Sequence, residues 1–147
     1  MTNKTFDMQF IRYMNLFSRV TRIDPKHCFA YNNGLLFVVP AGAVQMAIGR
    51  DNSNLKKLST ILGKRIRIVA QPPSVKEMAK FIAVIVAPIQ FERAEIVENP
   101  ETKEKEIVIT TAGREAKAML IGRGRIRETE LKDILEQYFG VKNLRIM

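Results

Sequence analysis

Two short stretches set glycine and arginine in the same order. Ile48-Gly49-Arg50-Asp51-Asn52 and Ile121-Gly122-Arg123-Gly124-Arg125 each place a conformationally free residue directly before a guanidinium. The chemistry open to such a set is anion binding. A glycine in a tight turn lets another backbone approach closely, the first amides of a following helix point outward, and the arginine supplies charge. A phosphate backbone uses all three properties. Asn54, Lys56 and Lys57 follow the first turn within about one helical turn, and Arg127 follows the second. Lys56 and Lys57 are either a solvated helix face or phosphate contacts, and their nearness to the loop favours contact. Arg65 and Arg67 share one side of a predicted strand, where they either line a groove or keep a sheet edge soluble. Arg123, Arg125 and Arg127 put three cations within five residues, with Glu128, Glu130 and Asp133 close enough to pair with them.

Other chemistry finds no matching set. The single cysteine, Cys28, and single histidine, His27, are too few for an internal disulfide or a zinc site. Ser18, Ser53, Ser59 and Ser74 lack a glycine-rich elbow and a second base. No Gly-x-x-x-x-Gly-Lys-Ser/Thr sequence is present. The carboxylates from Glu92 to Glu106 alternate as a solvated face would. The chain is therefore expected to be a binding protein, not an enzyme, with no metal, cofactor or small-molecule substrate.

The charge balance agrees with a polyanionic partner. Across 147 residues, 24 Lys and Arg oppose 15 Asp and Glu, a formal charge of +9. Residues 1–70 carry 11 of these cations and 3 of the anions, so nearly all the excess lies in the first half. The N-terminal residues lack the basic start and apolar run of a signal peptide. The longest apolar stretch, Phe81 to Ile89, is far short of the roughly 20 residues of a spanning helix. A cytoplasmic location away from membranes is expected.

The loops need helices and strands to hold them. Phe6, Phe10, Tyr13 or Met14, Phe17 and Val20 recur at helical spacing, predicting an amphipathic helix that ends before Asp24-Pro25. Cys28 to Tyr31 and Leu35 to Val39 flank Asn32-Asn33-Gly34, a hairpin signal. Ala43 to Ile48 is a short helix leading into the first loop. Leu55, Leu58, Ile61 and Leu62 predict the next helix, stopped at Gly63. Arg65 to Val69 alternates as a strand with one wet face. Gln71-Pro72-Pro73 marks a boundary, since neither proline extends a helix or donates within a sheet. Ser74-Val-Lys-Glu77 fits a capping box opening a helix through Met78, Phe81, Ile82 and Ile85 to Pro88. Gln90 to Glu98 and Lys105 to Thr110 predict a second hairpin around Asn99-Pro100.

The second half reads as a copy of the first. Ala41-Gly42 matches Ala112-Gly113, Ile48-Gly49-Arg50 matches Ile121-Gly122-Arg123, Leu55-Lys56 matches Leu131-Lys132, Gly63 matches Gly140 and Arg67-Ile68 matches Arg145-Ile146. Two related units, 1–70 and 74–147, are expected.

Each unit runs helix, strand, strand, helix, glycine turn, helix, strand. That order resembles the prokaryotic, type II K-homology (KH) domain, in which a glycine-x-x-glycine loop between two helices clamps about four single-stranded nucleotides. The tandem pair with Ile-Gly-Arg at both loops resembles the paired KH region of the NusA family of transcription factors, in particular short archaeal NusA-like proteins. The resemblance covers nearly the whole chain. It implies a mixed α/β (α+β) fold of two tandem type II KH-like domains, each a three-stranded sheet packed with helices. It also implies single-stranded RNA as partner, RNA polymerase as a second partner, and a role in transcription termination or elongation. The implied RNA-binding residues are Gly49, Arg50, Asp51, Asn52, Asn54, Lys56, Lys57, Arg65, Arg67, Gly122, Arg123, Gly124, Arg125 and Arg127. Asn52 and Arg125 stand where the family has its second glycine. Asparagine enters the left-handed region at modest cost and arginine less readily, so Gly124 is expected to offer a one-residue shift of the second turn, leaving the second loop the weaker clamp. A protein-interaction adaptor on polymerase and a ribosome-associated RNA-binding protein are the competing roles.

Overall fold

The computed structural model describes residues 8–147, so Phe6 lies outside the described residues. The chain divides into two compact units, Met1–Gln71 and Pro72–Met147. Each contains a three-stranded sheet, ordered β1-β2-β3 in the first and β4-β5-β6 in the second, packed with helices. This is a mixed α+β fold of two tandem KH-like domains.

In the first unit, helix α1 (Met8–Thr21) buries Phe10, Phe17 and Thr21. Its end is fastened locally: Thr21 Oγ1 donates to the Phe17 carbonyl at 2.8 Å and accepts from the Ile23 amide at 3.1 Å. Strands β1 (His27–Tyr31) and β2 (Gly34–Val39) pair antiparallel through Asn32 and Asn33, both at positive φ, as a twisted two-residue hairpin turn requires. The chain then crosses through helices α2 (Val44–Ile48) and α3 (Ser53–Leu62) to β3 (Arg65–Ala70), which pairs parallel to β2. Gly34 lies opposite Arg65, and a Cβ there would meet the Arg65 carbonyl oxygen at 2.5 Å. Phe17 and Phe37 stack at 4.5 Å in a core completed by Leu35, Val39, Ala47, Leu58 and Ile68.

Two expectations fail here. Ile61 is 52% exposed while Leu58 is fully buried, so the inward stripe of α3 is narrower than its apolar spacing predicts. Strand β3 has no continuous wet face, because Ile68 and Val69 are adjacent and both buried.

In the second unit, helix α4 (Met78–Val86) buries Met78, Phe81, Ile82, Ile85 and Val86. The capping box does not form. Ser74 makes no side-chain cap, the segment after it is a tight 3-10 turn closed by Glu77 N to Ser74 O at 3.1 Å, and Glu77 instead faces Lys80 at 3.8 Å. Strands β4 (Arg93–Glu98) and β5 (Lys105–Thr110) form the second hairpin, so Gln90 to Glu92 precede the strand. Helices α5 (Arg114–Ile121) and α6 (Ile126–Phe139) lead to β6 (Asn143–Ile146), parallel to β5. Phe81 meets Tyr138 and Phe139 edge-on at 5.3 and 6.0 Å, joining α4 to α6.

The internal repeat is real, with one match reassigned. Counting from the paired glycines, Leu55 corresponds to Glu128 and Leu58 to Leu131; the last two are both fully buried. Leu55-Lys56 is therefore not the counterpart of Leu131-Lys132. The added length sits at the far end of α6, which runs 14 residues against 10 in α3. About one extra helical turn leaves the buried face in register.

Candidate nucleic-acid interface

Both loops are left-handed turns between two helices. Gly49 ends α2 at φ 83°, ψ 166° and Gly122 ends α5 at φ 76°, ψ 170°, a region essentially reserved for glycine. Two left-handed residues follow in each: Asp51 (53°, 34°) and Asn52 (59°, 27°) in the first, Gly124 (61°, 22°) and Arg125 (63°, 23°) in the second. The same bond closes each turn, Asn52 N to Gly49 O at 3.2 Å and Arg125 N to Gly122 O at 3.1 Å.

The expected one-residue shift at Gly124 is therefore absent. Gly124 takes the place of Asp51, and Arg125 holds the left-handed position that asparagine holds in the first loop. The Arg125 backbone is kept there by more than its turn bond, because its carbonyl accepts from Thr129 Oγ1 at 2.9 Å. Its guanidinium pairs with Glu128 at 2.8 Å.

Asn54 and Arg127, five residues after the paired glycines, share a structural task. Asn54 Nδ2 lies 3.5 Å from the Met46 carbonyl, and Arg127 Nη1 donates to the Met119 carbonyl at 3.0 Å. Each braces the second helix to the first across its loop. The brace packs over the glycine: a Cβ on Gly49 would meet Asn54 Nδ2 at 3.0 Å, and one on Gly122 would meet Arg127 Cγ at 2.9 Å. Glycine is thus needed for close approach as well as for its backbone angles. The constant five-residue spacing is the sequence signal that could have revealed the brace.

The remaining charges divide by location. Among the described residues, Arg50, Lys56, Lys57 and Arg123 are exposed, and their side chains form no hydrogen bond or ion pair with the protein. They flank the loops, where the first amides of α3 and α6, Ser53 N and Ile126 N, close on the Arg50 and Arg123 carbonyls and the amides next after them lack intrahelical acceptors. Arg65 and Arg67 lie elsewhere. Ile66 and Ile68 alternate with them and pack into the α1, α2 and α3 core, so the arginines occupy the opposite face of the sheet and are not brought to the first loop.

At the far end of the second hairpin, a hollow of about 610 Å³ is lined by Glu98, Glu101, Glu104 and Glu106 with Lys105 and Arg145. Arg145 is paired with Glu106 at 3.3 Å. This acidic surface is unsuited to phosphate. Burial pushes the Cys28 thiol up, and burial together with Lys26 holds His27 below its ordinary value. No group of three or more His, Cys, Asp or Glu side chains is placed to hold a metal ion among the described residues. No described helix is long and apolar enough to cross a membrane.

The chain is similar to the probable transcription termination protein NusA of Methanococcus vannielii, with 24% identity over 137 residues that span 93% of this chain and 76% of that protein. This likeness points to the KH/NusA-like proteins. The crystal structure of APE1850 agrees in fold, with a TM-score of 0.68 and 25% identity over 97% of this chain and 100% of that one. No protein-family profile matches. Neither loop of this chain ends in a second glycine, yet both adopt the same left-handed turn.

Proposed function

We propose that the protein is a non-catalytic, cytoplasmic RNA-binding factor that holds single-stranded nascent RNA through its two loops and modulates transcription termination or elongation, with RNA polymerase as its second partner. The observation that carries this is the repeated left-handed turn, which opens a helix beside unpaired cations in both units. Helix-start amides and guanidinium groups bind phosphate oxygens without reading sequence, so they position a strand. The NusA-like relative supplies the link to transcription.

The test is fluorescence anisotropy with labelled single-stranded RNA and an equal-length duplex, titrated with salt, for wild type, Arg50→Asp and Arg123→Asp. Preference for the single strand, with affinity lowered roughly tenfold by each reversal and falling steeply with salt, is the expected result. Equal binding by all three proteins would remove the loops from the mechanism. A run-off transcription assay with added protein then measures the change in read-through at a terminator.

A further inference from the structure

The two loops share a backbone but distribute charge differently. In the first unit the loop carries Arg50 against Asp51, and the adjoining helix adds Lys56 and Lys57. In the second, the loop carries Arg123 and Arg125, while the positions matching Leu55, Lys56 and Lys57 hold Glu128, Thr129 and Glu130. Glu128 Oε1 is 2.8 Å from Arg125 Nη1, its side chain only 15% exposed against 72% for the arginine. The backbone of Arg125 is held independently of this pair, by its amide on Gly122 O at 3.1 Å and its carbonyl under Thr129 Oγ1 at 2.9 Å.

We propose that Glu128 is a positioning residue that sets the RNA affinity of the second loop by holding the Arg125 guanidinium against α6. This rests on the RNA-binding function above and assigns the working cation of that loop to Arg123, with Arg125 silenced. A phosphate arriving at Arg125 must share the guanidinium with a carboxylate already seated on it, and two anions at that separation repel. The first loop has no such competitor, since Leu55 occupies the matching place. Because two backbone bonds fix Arg125, neutralising Glu128 releases the cation without dismantling the turn.

The test uses the full chain and a short fluorescein-labelled oligouridylate, with wild type, Glu128→Gln, Arg125→Gln, the double variant and Arg123→Asp. The amide of Glu128→Gln keeps an acceptor of the same shape and removes only the charge. Expected are binding about three- to tenfold tighter for Glu128→Gln, with a salt slope steeper by about 0.7, the value of one further phosphate contact on a single strand. Arg125→Gln alone should change affinity less than about twofold, whereas in the Glu128→Gln background it should cancel the gain. A merely structural role for Glu128 would move the thermal midpoint and leave the salt slope alone. If thermal unfolding shows Glu128→Gln to have lost its fold, Glu128→Leu, which copies Leu55, takes its place with the same expected gain. Unchanged or weaker binding by the folded variant, while wild type binds and Arg123→Asp loses affinity, overturns this inference alone. Failure of wild type to bind, or indifference to Arg123→Asp, overturns the RNA-binding function and the inference with it.

Discussion

Arg127 reaches from α6 over Gly122 to the Met119 carbonyl, donating at 3.0 Å from Nη1, and so ties together the two helices that form the second loop. The guanidinium that follows the loop in the first turn of α6 is thereby committed to the protein's own backbone. Asn54 and Met46 repeat the relation in the first unit at 3.5 Å, with an amide in place of the guanidinium.

The close packing of Arg127 over Gly122 makes that glycine costly to replace. Gly122→Ala combines a backbone region nearly closed to other residues with a Cβ at 2.9 Å from Arg127 Cγ, and should destabilise the second unit by about 2–3 kcal/mol. Gly124→Asn, at left-handed angles with open space around its Cβ position, should cost less than about 1 kcal/mol. Urea unfolding of the two variants checks the contrast; equal losses would contradict it.

Lys56 and Lys57 should act additively and through charge alone. Replacing both with alanine should lower the slope of log affinity against log salt by about 1.4 on single-stranded RNA and leave the thermal midpoint within about a degree or two, as expected of exposed side chains without protein partners. Salt titrations of the double variant measure it.

Leu58 and Ile61 are equivalent in sequence pattern and unequal in the fold. Leu58→Ala should cost about 2–5 kcal/mol because its side chain is fully buried. Ile61→Ala, at an exposed helical position, should stay within about 0.5 kcal/mol of wild type. Chemical denaturation distinguishes them.

His27 contributes a pH dependence of known sign. Burial, aided by Lys26, favours its neutral form in the folded chain, lowering its pKa from 6.5. As pH falls through that ordinary value, the unfolded chain binds the proton first, so stability present above 6.5 is lost until the folded-state pKa is passed. Thermal midpoints between pH 8 and pH 5 should fall less in His27→Phe than in wild type.

Cys28 is fully buried and its thiol is pushed up by burial, so thiolate is scarce in the native state. Iodoacetamide at mildly alkaline pH should leave it unmodified in buffer and label it completely in denaturant, as followed by mass spectrometry. Rapid native labelling would place the thiol outside the core.

The hairpins, the paired helices and the glycine turns were legible because each has a local cause. Asn32-Asn33-Gly34 encodes its own turn, and Gly63 and Gly140 end their helices in left-handed caps. The capping box at Ser74 fails to form for the opposite reason: the motif specifies side chains able to form a cap, but the 3-10 backbone adopted there does not bring them to the amides. The expected one-residue shift of the second turn does not occur because the reluctance of arginine to adopt positive φ is a property of the isolated residue. Thr129 and the Gly122 carbonyl together hold the Arg125 backbone where its own preference would not put it.

From the sequence alone come the duplicated architecture, the place of both loops and the concentration of positive charge in the first half, since periodicity, turn chemistry and composition are local quantities. Which cations stay without a protein partner was decided only by tertiary structure. Arg127, Arg125, Arg50 and Arg123 are alike as residues in a chain. Folding sets the first against a carbonyl and the second against a carboxylate, and leaves the side chains of the other two without a protein partner, because a side chain's partners depend on what the fold brings within hydrogen-bonding distance.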